Sequence, residues 1–396
     1  MIFCTLTKNY MGNELDGQEF DAVIADEISM TLPPLLFLAA RRAKSRVVLV
    51  GDFLQLPPII RSDAEISTER LREDAFHLSG IVIGRGLAKD SQVLTSLTTQ
   101  RRMAPPIADA ARRLAYDGAK LCLKDHSSLR GRSVPVWLGF LPENPLVIID
   151  TSDIHRWSGK QPGTLSRFNF YSANLAVELA GMAAAGLPAP QEDERPIGIV
   201  TPYAAQRRLL MRQVQAMKLT KWVTAGTVHT FQGSEADLII FDSVLDEPYW
   251  SSRLTNPDRL NEVLRDLNVA VTRAKYKLVF IGSSEWLNQH ARPASALGHL
   301  WAFLKDKADL ASAFELVGQG FAQRVMKVRD DAAWRVPESP KNGLPMHELL
   351  DETSFFGRFL PDLQAAQKSI FGLVPFFGEY RWPKIEPYFE RLWKEE

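Results

Sequence analysis

The chain has 396 residues, room for two or three domains at roughly 100–200 residues each. It is 45% hydrophobic and 24% charged, with 47 basic residues against 47 acidic ones. This excludes a wholly disordered chain, a collagen-like chain and a histone-like basic binder, while a locally basic nucleic-acid groove stays open.

Taken in chain order, short apolar runs alternate with helical patterns, the mark of βα units around parallel sheets. Residues 22–25 (AVIA) form the first predicted strand and end in Asp26-Glu27; residues 47–50 (VVLV) form the second and end in Gly51-Asp52. A helical pattern covers 107–116. Then come strands at 146–149, 197–200, 238–241 and 278–281, with helical patterns at 174–185 and 204–217 between them. Strands this apolar are expected to be buried on both faces. Two sheets are expected, one before and one after about residue 120. In open α/β sheets, ligands bind outside the carboxyl ends of the strands, which is where Asp26-Glu27, Gly51-Asp52, Asp150 and Thr201 fall. Residues 326–346 hold three prolines and many charges and read as a linker, with a short unit from 347 onward. Cys4 and Cys122 are too few for a disulfide framework and read as thiols in a reducing compartment. The longest apolar run, 32–40, is well short of the ~20 residues of a membrane span. The opening MIFCTLTKNY lacks the features of a signal peptide. A cytoplasmic protein without a membrane partner is expected.

Two motifs carry chemistry on their own residues. Asp26 and Glu27, directly after a strand, suit a magnesium nucleotide: Asp26 holds the metal or its water, and Glu27 orients and deprotonates an attacking water. An ordinary acidic turn is the plain alternative. Gly51-Asp52-Phe53-Leu54-Gln55-Leu56-Pro57-Pro58 follows the second strand. Its glycine permits a tight exit and its prolines fix the backbone. Gln55 both donates and accepts, so it can sense a γ-phosphate and a water together. Six such fixed residues arise by chance about once in 10⁷–10⁸ positions.

In this order and spacing, the two motifs resemble motifs II and III of superfamily 1 helicases, in the 5′-to-3′ branch that contains the nonsense-mediated-decay helicase. Four further segments are similar to that family's later motifs. They are Gln100-Arg101-Arg102-Met103-Ala104-Pro105 (departing at Arg101 and Ala104), 197–203 with Gln206, 227–235 (TVHTFQGSE) and 268–274 (NVAVTRA). The resemblance implies RecA-like parallel sheets with flanking helices, in the P-loop NTPase superfamily: a partial first motor domain over 1–118 and a complete second over 119–325. It implies ATP and Mg2+ as cofactors and single-stranded DNA or RNA as partner. Arg102 and Arg273 would be arginine fingers, since their planar forks match phosphate oxygens. Gln100, Gln232, Gly233 and Glu235 would meet the nucleotide. Thr201, Tyr203, His229 and Thr230 would meet the nucleic acid. A surface salt bridge for either arginine, a loop cap for Gln232 and Glu235, and strand-end packing for Thr201 and Tyr203 are the structural alternatives.

The family's phosphate cradle, G-x-x-x-x-G-K-[ST], is absent. The sole Gly-Lys pair, Gly159-Lys160, is followed by Gln161 and lacks the earlier glycine. Residues 2–6 resemble the strand just before motif II, and the first motor domain is expected to begin midway. At the other end, 354–388 resembles the opening of a phospholipase-D-like domain, without that superfamily's H-x-K motif. The expectation is therefore a piece of a longer ATP-dependent helicase, inactive by itself and prone to aggregate through unpaired sheet edges. A non-hydrolysing nucleic-acid or partner-binding module, and a helicase fused to a phospholipase-D-type nuclease, are the competing readings.

Overall fold

A computed structural model describes residues 1–325, apart from 13–14, 59, 61–70, 72, 85, 88–92, 155–156, 162–163 and 192–193. The expected linker over 326–346 and the phospholipase-D-like segment over 347–396 lie outside the described residues. Met1–Gly159 and Ser166–Met326 form one compact unit; the second unit, Lys160–Leu165 with Lys327–Glu396, falls almost wholly outside the description.

The chain opens on helix α1 (Leu6–Met11), capped by the Thr5 side chain, which accepts from the Lys8 N–H. The strand likeness of residues 2–6 is thus corrected: residues 2–5 carry no regular structure and Leu6 begins a helix. Strand β1 (Phe20–Ala25), helix α2 (Pro33–Ala40) and strand β2 (Ala43–Leu49) follow. The two strands run parallel, with Ile24 opposite Val48, and pair only with each other. Among the described residues their sheet has two strands, and the expectation of burial on both faces fails here. Ile24 is 71% exposed and Val48 45%. Helix α2 packs on one side, leaving the rest of the apolar surface open.

Helix α3 (Pro105–Ala111) begins at a Pro-Pro pair, which suits the first turn because it needs no N–H there. It runs on into a π-helical turn, Arg112–Tyr116. The second sheet is built from β3 (Leu146–Asp150), β4 (Ile197–Thr201), β5 (Val223–Thr227), β6 (Ala236–Asp242), β7 (Ala274–Gly282) and β8 (Asp309–Ser312), interleaved with α4 (Phe170–Ala185), α5 (Ala204–Ala216), α6 (Leu260–Thr272) and α7 (Ala296–Lys307). All six strands are parallel, in the order β5-β4-β6-β7-β3-β8. Alternate residues divide between two cores, as the twofold repeat of a strand requires. Ile239, Phe241, Leu278 and Phe280 belong to one, with side chains from α3, α6 and α7. Leu238, Ile240, Val279 and Ile281 belong to the other, with α4 and α5. Here both faces are covered, so the fully apolar runs are buried as expected.

Candidate functional site

The site forms where the carboxyl ends of β1 and β2 meet the turn before β6 and the end of α6. Asp26 is exposed at the end of β1, its Oδ1 accepting the Glu27 N–H at 2.8 Å. Glu27 has φ 54° and ψ 39°, the left-handed region that a non-glycine residue rarely adopts. Such strain costs about 1–3 kcal/mol and collects at functional positions. The neighbouring turns are laced together: Val50 N–H donates to Ala25 O at 2.8 Å and Ile28 N–H to Val50 O at 3.1 Å. A Cβ on Gly51 would stand 3.1 Å from the Ile28 nitrogen, so the two motifs approach this closely because residue 51 is glycine.

Gln55 is oriented from both ends. Its Nε2 donates to Asp52 Oδ2 at 3.1 Å, and its Oε1 accepts from Arg273 Nη2 at 3.2 Å. Arg273 is buried and also donates to Val269 O at 3.0 Å, Ser234 O at 3.1 Å and Thr272 Oγ1 at 3.0 Å. Burial, then the nearby Arg102, pulls its pKa down to about 10, against Glu27, Tyr116 and Asp52, which raise it. It keeps its charge at neutral pH. Gln232 reaches across, its Nε2 donating to Glu27 Oε2 at 3.4 Å, while its Oε1 is buried without a hydrogen-bond partner. Gly233 turns the chain with φ 75°. Glu27, Gln55, Gln232 and Arg273, distant in sequence, thus face one another.

Arg102 and Glu235 form an ion pair, Nε to Oε2 at 2.7 Å, and Arg102 Nη1 donates to Thr272 O at 3.3 Å. Lys275 Nζ holds the other Glu235 oxygen at 2.7 Å. Burial raises the Glu235 pKa, but Lys275 and Arg102 outweigh it and keep the carboxyl below its ordinary value. Gln100 turns inward: its Nε2 donates to Asp125 Oδ1 at 2.6 Å and Met103 O at 3.0 Å, and its Oε1 accepts from the Arg102 and Met103 N–H groups. In this conformation it shapes the turn that presents Arg102.

Of the residues expected at a nucleic acid, His229 and Thr230 are exposed, on a short 3₁₀ turn after β5. Thr201 and Tyr203 are buried at the end of β4. Burial raises the Tyr203 pKa, and the Thr201 hydroxyl has no hydrogen-bond partner. Neither presents a polar atom to the surface. Gln206 is buried as well, bridging Asn169, Ser172 and Asp242.

Sequence reasoning gave no role to Tyr116, Asn268 or Asp52. Tyr116 OH donates to Asp52 Oδ2 at 2.6 Å; Asn268 Nδ2 donates to Leu54 O at 3.0 Å and to the Tyr116 oxygen at 3.4 Å. Burial, reinforced by Asp52, raises the Tyr116 pKa, so the phenol stays protonated. Asn268 lies within a recognised motif; Tyr116 reads from sequence as plain helix core.

An AAA domain family matches residues 83–285, more than half of the chain, and a second AAA domain family matches residues 1–63. The chain belongs to the AAA domain family. Its six-stranded parallel sheet with helices on both faces is the RecA-like α/β fold of P-loop NTPases. This AAA domain chain is 28% identical over 298 residues to the DNA replication ATP-dependent helicase/nuclease DNA2 of Xenopus laevis, spanning 69% of this chain and 26% of that one. It is 27% identical over 294 residues to an uncharacterized ATP-dependent helicase of Methanocaldococcus jannaschii, spanning 72% of this chain and 39% of that one. The chain therefore spans well under half the length of these relatives. Among solved structures, an arterivirus nonstructural protein 10 helicase in complex with DNA overlays at a TM-score of 0.32, with 14% identity, over 73% of this chain and 43% of that one. That overlay is loose, and the fold rests on the strands themselves. No described helix is long and apolar enough to cross a membrane.

Proposed function

We propose that the chain is the phosphate-sensing and strand-gripping portion of a superfamily 1 ATP-dependent helicase or translocase. The observation that carries this reading is the meeting of Glu27, Gln55, Gln232 and Arg273, through the Gln232–Glu27 contact at 3.4 Å and the Arg273–Gln55 contact at 3.2 Å. The helicase relatives support it.

The residues present fit the far end of a magnesium triphosphate. Asp26 offers an exposed carboxylate for the metal, Gln232 a buried oxygen without a partner, and Arg273 and Arg102 guanidinium forks for phosphate. When bound, MgATP supplies the phosphoryl group whose transfer to water drives motion. Glu27 holds the attacking water and takes its proton. Gln55 turns from Arg273 toward that water, and Arg273 and Arg102 balance charge on the phosphoryl oxygens. Because Arg273 and Gln232 belong to the larger sheet's side and Glu27 and Gln55 to the smaller, their grip depends on what lies between them. That dependence is how hydrolysis would move a single strand of DNA or RNA held near His229 and Thr230. Thr201 and Tyr203 would join only after movement uncovers them. Gln100, Gly233 and Glu235 would shape the nucleotide side.

The chain contains no G-x-x-x-x-G-K-[ST] cradle. We therefore read it as a portion, not competent alone, of a protein whose cradle lies in another segment; the open apolar surface of β1 and β2 supports that reading. Its exposed thiols, Cys4 and Cys122, suit the cytoplasm. The missing cradle equally favours a second reading, a module that binds strands or a partner without hydrolysis. Calorimetric titration of the 396-residue chain with MgATP, with phosphate release followed in parallel, tests the first reading. Weak or no binding and no turnover are expected; micromolar binding with turnover overturns the dependence on a separate cradle. Strand-stimulated turnover in the full-length protein separates the helicase from the passive module.

A further inference from the structure

The loop after β6 carries an exposed tryptophan on an anchored backbone. Trp250 is 70% exposed. On either side of it the chain is tied down. The Tyr249 ring lies under the Arg167 guanidinium, 4.5 Å from its centroid, and the Tyr249 carbonyl accepts from Trp286 Nε1 at 2.6 Å. Arg167 Nη2 donates to Ser251 O. The Glu247 carbonyl accepts from the Ser158 N–H at 2.6 Å, and Ser252 closes a capping box with Thr255. A loose surface loop would let an indole fold back onto apolar neighbours. Here the anchors on both sides hold the backbone, and the ring stays in water at a cost in unburied apolar area.

The surroundings indicate what covers it. The loop leaves the sheet at its carboxyl edge, where ligands of α/β folds bind. Beneath it, Arg167 is 9% exposed and keeps its Nη1 without a hydrogen-bond partner; the Thr201 and Ser243 hydroxyls are also buried and unpartnered. Buried donors of this kind call for an acceptor. Arg253, three residues past Trp250, pairs with Asp266, whose carboxyl is within electrostatic reach of His229. The loop that carries Trp250 is thus tied, through Arg253 and Asp266, to the neighbourhood of the exposed His229. A flat ring fixed beside unpartnered donors fits a nucleotide unit, with a base for the indole face and a phosphate oxygen for the guanidinium.

We propose that Trp250 is a base-stacking platform for a single nucleic-acid strand, held in place by Arg167. This rests on the strand-binding part of the function proposed above. The test uses the 396-residue chain and the fluorescence anisotropy of two labelled probes of equal length, an oligothymidylate and an abasic strand with the same phosphates. Wild type should prefer the base-bearing strand. Trp250→Ala should bind oligothymidylate about 5- to 150-fold more weakly, the range of one lost base stack. It should bind the abasic strand as wild type does and keep the salt dependence, because phosphate contacts are untouched. Trp250→Phe should stay within about threefold of wild type. Unchanged oligothymidylate affinity in Trp250→Ala, or an equal loss on both probes, overturns the platform and leaves the strand-binding reading standing. No binding of either probe by wild type overturns both.

Discussion

Two parallel sheets in one chain, each containing fully apolar four-residue runs, end in opposite surroundings. In β1 and β2 the run AVIA and the run VVLV lie largely in the open, with Ile24 71% exposed. In β6 and β7, LIIF and LVFI are buried throughout, with Ile240 fully enclosed. The difference is what lies around each strand: among the described residues, two strands are both edge strands and leave most of one face uncovered, whereas six strands with helices on both sides confine the edges to β5 and β8 and cover both faces of the strands between. Apolar sequence therefore states what a strand requires, and the rest of the assembly decides whether it is met. Yet the smaller sheet supplies Asp26, Glu27 and Gln55, and the larger side supplies Gln232 and Arg273. Stability resides in one region, and the proposed chemistry needs both.

The largest expected effect tests that shared site. In the full-length protein, Arg273→Ala should lower strand-stimulated ATP turnover by about 10³–10⁵-fold, the range for an arginine finger. Steady-state phosphate release measures it, and turnover within tenfold of wild type breaks the assignment. Next comes the contrast between the sheets themselves. Ile240→Ala should cost about 2–5 kcal/mol in urea unfolding, while Ile24→Ala, at a site already in water, should cost less than about 0.5 kcal/mol. Equal losses would mean that β1 is buried in solution by something else. A smaller effect belongs to the link between regions. Tyr116→Phe removes the hydroxyl shared by Asp52 and Asn268 and should cost about 1–2 kcal/mol, read from the same unfolding curves.

The smallest effect is a slope with pH. Burial pushes Asp242 up to about 6, against the hydrogen bonds from Gln206 and Val244. Above its unfolded value of about 4 the unfolded chain has released this proton while the native chain still holds it. Stability therefore falls as pH rises from about 4 to 6. Asp242→Asn should flatten that part of the stability profile relative to wild type; an unchanged slope assigns the titration elsewhere.

What was legible in the sequence follows the same division. The runs 146–149, 197–200, 238–241 and 278–281 are strands because burial on both faces demands uninterrupted apolar residues. Strand β5 (VTAGT) and the edge strand β8 (DLAS) escaped notice because small and polar residues there carry no such signal. Asp26, Glu27 and Gln55 could be picked out from their own motifs, and Gln232 and Arg273 through the resemblance to the helicase family; the fold brings the last four together. Tyr116 could not, since its place beside Asp52 comes from the π-helical turn at the end of α3, a backbone detail without a residue signature. The burial of Thr201 and Tyr203 follows the strand-end-packing alternative, which the sequence left open because a strand end looks the same whether a loop covers it or not.

The central claim is that Glu27, strained and facing Gln232, activates the water that attacks ATP. Single-turnover hydrolysis by the full-length Glu27→Gln variant, with ATP affinity measured in the same preparation, tests it most directly. Affinity within a few fold of wild type, with the chemical step slowed by about 10²–10⁴-fold, is the predicted result; hydrolysis at the wild-type rate would contradict it.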